Sequence, residues 1–126
     1  MKQNAVGWFD IYVSDMKRAT GFYQDVFMRS LEVMKDPTDN NVEMMSFPTD
    51  MALYGAGGAL VQREGSNPGK GGTTIYFGVN DCSIEESRIK DAGGQVISAK
   101  LSIGEFGWIS LCIDTEGNMF GLSSMK

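Results

Sequence analysis

The sequence contains no histidine. Imidazole is a usual ligand of zinc, nickel and iron and the commonest proton carrier near neutral pH. Its absence excludes hydrolases of the Ser-His and Cys-His kinds. A metal site would have to be built from carboxylates, carbonyls and water, which favours hard cations and needs clustered acids. No metal site and no cofactor is therefore expected. Cysteine is nearly as scarce. Cys82 and Cys112 have no Cys-x-x-Cys spacing and make no disulfide framework, which points to a reducing cytoplasm. No apolar run approaches the roughly 20 residues of a membrane helix, so no membrane partner is expected. Residues 1–10 lack the apolar segment of a secretory leader. Basic residues are few and scattered, 11 Lys and Arg against 16 Asp and Glu, for a formal net charge of −5. Without a basic stripe, nucleic acid is not an expected partner. What remains is 126 residues, 42% of them hydrophobic, enough for one domain with a real core.

Aromatic and β-branched residues at 5–13 predict a strand with Phe9, Ile11 and Val13 on one face and Trp8, Asp10 and Tyr12 on the other. Ser14 or Asp15 then caps a helix whose stripe is Ala19, Phe22, Tyr23, Val26 and Phe27. Strands follow at 30–35, 42–47 and 59–63, the last after a flexible glycine run at 55–58. Residues 64–72 hold four glycines and a proline and read as a linker or mobile loop. A strand at 73–79 and a second helix come next. Ser83 and Glu86 make a capping box, and Gly93-Gly94 ends the helix. Three more strands follow at 95–99, 108–113 and 118–123, with a tight turn at 114–117.

The two halves match at an offset of 66: Val13 with Val79, Asp15 with Asp81, Asp25 with Asp91. Each half reads strand, helix, three strands. This predicts an α+β protein of two βαβββ modules, 1–63 and 73–126, joined by the linker 64–72 within one domain. Four strands and one helix cover only one sheet face. The other faces of two such sheets would enclose a cleft, the natural place for a ligand.

The repeat, the opening Phe9-Asp10-Ile11-Tyr12-Val13-Ser14-Asp15 with Phe22-Tyr23, and the close Asp114-Thr115-Glu116-Gly117-Asn118-Met119-Phe120-Gly121-Leu122 resemble the vicinal oxygen chelate superfamily. That superfamily includes glyoxalase I, bleomycin-resistance proteins and extradiol dioxygenases. Gly57-Gly58-Ala59-Leu60 and Asp91-Ala92-Gly93-Gly94 are similar to small bacterial proteins related to lactoylglutathione lyase. The resemblance covers nearly the whole chain. It implies curved sheets around a cavity, and a homodimer. It also implies metal ligands on the first and fourth strand of each module, at places that here look like Trp8, about Ala59, Thr74 and Gly121. None of these suits a transition metal.

On that resemblance, alternation sends Trp8, Asp10, Tyr12, Thr74, Tyr76, Met119 and Gly121 into the cleft. Trp8 either plugs the cavity or offers a stacking surface, and Gly121 leaves room for a ring. Asp10 is either a general base beside the tyrosines or a carboxylate on a wet sheet face, and Glu43 carries the same two readings. The loop 104–108, with Glu105 and Trp108, either closes over a ligand or is a hairpin turn. Three functions stay open. The first is a small-molecule binder for a planar, cationic ligand held by cation–π and carboxylate contacts. The second is a metal-independent lyase or isomerase with Asp10 or Glu43 as base. The third is a non-catalytic remnant with a filled cavity.

Overall fold

A computed structural model describes residues 3–126. The first half runs β1 (Trp8–Tyr12), α1 (Met16–Phe27), β2 (Glu32–Lys35), β3 (Glu43–Ser46) and β4 (Gly57–Gln62). The second runs β5 (Ile75–Gly78), α2 (Cys82–Ile89), β6 (Gln95–Ser102), β7 (Trp108–Ile113) and β8 (Met119–Ser124). The strand orders are β1-β4-β3-β2 and β5-β8-β7-β6. In each sheet the first and fourth strands pair in parallel and the rest antiparallel. The protein is α+β, two βαβββ modules of mixed sheet. Among the described residues no helix is long and apolar enough to cross a membrane.

The helices begin where aspartate satisfies the first free N–H groups. Asp15 accepts from the Arg18 N–H at 3.0 Å, and Asp81 from the Ser83 N–H at 3.0 Å. The expected capping box is thus replaced by Asp81. Glu86 turns instead to the sheet, where it accepts from the Lys100 N–H and the Ser110 hydroxyl. Gly57 and Gly58 belong to β4 and are not part of a flexible run. The Trp8 ring lies against Gly57 and the Phe9 ring against Gly58, so aromatic bulk on β1 covers what the glycines lack.

One apolar core serves both modules. Phe9, Ile11, Phe22, Tyr23, Val26, Leu60, Phe77, Ile89, Phe120 and Leu122 pack between the two helices and the helix-side faces of both sheets. Each large side chain buried there contributes about 1.5–3 kcal/mol. The β7–β8 turn fastens this core from the other module. The Tyr23 hydroxyl donates to the buried Asp114 carboxylate at 2.7 Å. The Glu116 carboxylate accepts from the Ser14 and Asp15 N–H groups at 3.0 and 2.8 Å and from Arg18 Nε at 2.7 Å. Burial alone would raise Glu116, but these bonds hold it down at about 2. Burial, then the Asp114 charge, drives the Tyr23 hydroxyl well above its usual value.

Candidate functional site

Alternation decides which side chains are free of the core. Register places Trp8, Asp10 and Tyr12 beside Gly57, Ala59 and Val61 on the face of sheet one that looks away from the helices. Met44 joins Tyr12 and Val61 there. On the matching face of sheet two lie Tyr76 and Gly121, with Leu111 next to Gly121 and Met119 next to Ile113. Thr74 sits one residue before β5. The structure thus brings six of the residues expected in the cleft, Trp8, Asp10, Tyr12, Tyr76, Met119 and Gly121, to the two open faces.

The aromatic residues there are held, not loose. The Trp8 indole N–H donates to Asp10 Oδ1 at 3.0 Å, with the ring 41% exposed. Tyr76, 46% exposed, lays its ring against Gly121, where a β-carbon would collide with it. The room that Gly121 leaves is therefore taken by the protein's own tyrosine, and the expectation of space for a ligand ring at that point is corrected.

β1 and β5 are the edge strands of their sheets, and they meet at a seam. On the helix side the Phe9 and Phe77 rings close it, 5.9 Å apart and edge to face. Along it lies a pocket of about 430 Å³ that takes in residues of both faces. Asp10, Tyr12, Ile75 and Met119 form its walls, with Tyr23 and Phe120 at its base. Asn67, Pro68, Gly69 and Gly71–Thr73 of the linker line it too. The linker is pinned there by the Gly69 N–H, which donates to Asn118 Oδ1 at 2.7 Å. Asn118 also donates to the Tyr12 carbonyl at 2.8 Å. The role of the linker and of Asn118 was not read from the sequence. The available signal was topological: a chain passing from β4 to β5 must cross the seam between two edge strands.

Solved structures share this arrangement. A glyoxalase/bleomycin resistance protein/dioxygenase family enzyme from Burkholderia phytofirmans PsJN superposes with a TM-score of 0.68 at 15% identity, covering 95% of this chain and 98% of that one. The chain has the glyoxalase/bleomycin resistance fold. TnmS3, an antibiotic binding protein from Streptomyces sp. CB03234, shares this fold with a TM-score of 0.63 at 22% identity, over 98% of both chains. A curated relative is the anthracycline biosynthesis protein DauV of Streptomyces sp. strain C5, 25% identical over 131 residues. That match takes in 94% of this chain and 46% of DauV, so the chain spans less than half the length of that relative. No family model matches the sequence.

The glyoxalase fold implies a metal at the four places named from resemblance, and the residues there do not fit one. Trp8 and Gly121 offer no side-chain oxygen, nitrogen or sulfur suited to it, and the Ala59 methyl is fully buried. Thr74 alone has a hydroxyl. Among the described residues no three of Cys, Asp and Glu come together. Two candidate residues lie away from the open faces. Glu43 pairs with Gln62, in register with the core residues Met45 and Leu60, so it projects on the helix side at the exposed start of the inner strand β3. Trp108 shares the helix side with Ser110 and Cys112. Lys100 Nζ lies 5.1 Å from its ring centroid and 2.9 Å from Asp81, whose carboxyl this bond holds well below the usual range. Glu105 is exposed on the single 3-10 turn Gly104–Phe106 that joins β6 to β7. The pattern missed Glu43 and Trp108 because parity within a strand is fixed only once its register is known.

Proposed function

We propose that this protein binds a small planar organic molecule on the open faces of its two sheets, without a metal. The observation that carries the reading is the Trp8–Asp10–Tyr12 row beside an open pocket of about 430 Å³. Trp8 supplies a stacking surface already oriented by its hydrogen bond, and Asp10 keeps one carboxylate oxygen for a cationic group on the ligand. The pocket size lies within the range of drug-sized ligand sites. That TnmS3 is an antibiotic binding protein and DauV an anthracycline biosynthesis protein supports a small organic ligand here too. Two buried free cysteines suit a reducing cytoplasm. Burial, then the Glu86 charge, pushes the Cys112 thiol up to about 12, so it stays unreactive there.

The working form we infer is a homodimer. A compact monomer of this mass exposes about 6,600 Å², whereas this chain exposes 8219 Å². Met51 and Tyr54, on the connection between β3 and β4, are 92% and 95% exposed. A second copy is the partner that would cover such apolar surface.

The test is a thermal-shift panel of planar molecules, cationic and neutral, with an anthracycline among them. A ligand of the native state raises the melting temperature. In a Trp108→Phe protein, Trp8 is the remaining tryptophan, and its fluorescence is expected to fall as the ligand stacks. Trp8→Ala is expected to weaken binding about fivefold, the worth of one aromatic stack. A flat panel, with Trp8 emission unchanged, rules the reading out.

A further inference from the structure

Each sheet ends at the seam on a strand whose inner edge has no ladder partner. The Val13 N–H donates to the Val61 carbonyl at 2.9 Å, which fixes the odd-numbered residues of β1 as those bonded to β4. The main-chain groups of Trp8, Asp10 and Tyr12 therefore face the seam. The Tyr12 carbonyl is already used, by Asn118. The Asp10 N–H and C=O have no partner among the described residues, and Asp10 lines the pocket. A strand residue presents its N–H and C=O side by side on one edge, and such an edge accepts any partner that returns an acceptor and a donor in the same spacing.

We propose that the seam pocket takes a planar molecule with a donor and an acceptor on adjacent positions of one edge, a lactam or other cis amide, which pairs with the Asp10 main chain as a neighbouring strand would. This rests on the reading of the open faces as a ligand site, and adds the polar group that orients the ligand in it. Tyr12 and Met119 would flank the ring, and the linker would lie over it.

The probe pair is 2-quinolinone and N-methyl-2-quinolinone, which share a ring system and differ in one N–H. Both are titrated into the full chain and followed by amide chemical shifts. 2-Quinolinone is expected to bind at least about tenfold tighter, since its analogue leaves the Asp10 carbonyl unpaired. The Asp10 amide resonance is expected to move with 2-quinolinone. Equal affinities, an Asp10 amide that stays still, or no binding by either compound overturns the inference. Asp10→Pro removes an N–H that bonds nothing in the fold, at an edge position where proline is tolerated. Compared with Asp10→Ala, which loses the same carboxylate, it is expected to bind both compounds more weakly, because their shared carbonyl loses its donor, while the preference set by the residue-10 carbonyl remains; equal affinities of the two variants also overturn the inference. The failures separate. If members of the planar panel bind but the quinolinones are not told apart, the lactam pairing is wrong and the ligand site stands. If no planar molecule binds at all, the ligand site itself is wrong.

Discussion

Trp8 and Met28 show how far single residues follow their local chemistry. Trp8 opens β1 on an open face, where its apolar ring gains contact by lying over Gly57 and its N–H finds Asp10 two residues on. The face was legible, because strand alternation needs no knowledge of neighbours. The glycine beneath it was not, because cross-strand register is set by loops of unpredictable length. Met28 is the opposite case. It ends α1 in the left-handed conformation, φ 54°, where glycine is the ordinary occupant. Its side chain is 71% exposed, so little packing is lost by removing it. Met28→Gly is therefore expected to stabilise the fold by about 1 kcal/mol, a rise in melting temperature of about 3 °C. Differential scanning calorimetry checks it, and a lower melting temperature would show that the methionine packs against something that outweighs the strain.

The β7–β8 turn is the element on which the two modules depend. Residues 114–117 read from sequence as a tight turn, and they are one. That this turn reaches the start of α1 was not legible, since the contact joins residues about a hundred positions apart. Glu116 replaces the hydrogen-bond partners that the α1 N-terminus would otherwise find in water, and Arg18 answers its charge. The folded carboxyl titrates at about 2 and an unfolded one near 4.5. A lowered folded value stabilises the native state above the unfolded pKa and is lost as pH falls from about 4.5 toward 2. Asp36 and Asp81, both held below their usual value of 3.8, add to the loss once pH falls below about 3.8. Urea midpoints are thus expected to be flat from pH 7 to 5 and to fall steeply below 4.5. The Glu116 share is about 3 kcal/mol, so Glu116→Gln is expected to lower the midpoint at pH 6 and to flatten the decline below 4.5. A variant whose acid decline matches the parent's would remove Glu116 from this role.

At the scale of the molecule, the repeat at an offset of 66 was the most informative feature, because it implies two copies of one unit and hence two sheets with open faces. Asp15 and Asp81 cap both helices, and β1 and β5 occupy matching edges. The repeat does not say what lies over those faces. Burying both helix-side faces in one core leaves the opposite faces bare, and the surplus of about 1,600 Å² over a compact monomer is of the size that obligate homodimers cover on each partner. The apolar connection between β3 and β4 is the natural contact, with Tyr54 and Met51 almost wholly exposed. Sedimentation at micromolar concentration is expected to give twice the 13.8 kDa chain mass. Tyr54→Asp places a charge where apolar contact is needed and is expected to raise the dimer dissociation constant at least about tenfold, with circular dichroism unchanged because the side chain touches little of its own chain. A native protein that sediments as a single chain would mean that the open faces stay bare in solution, and that a ligand reaches them without a partner's help.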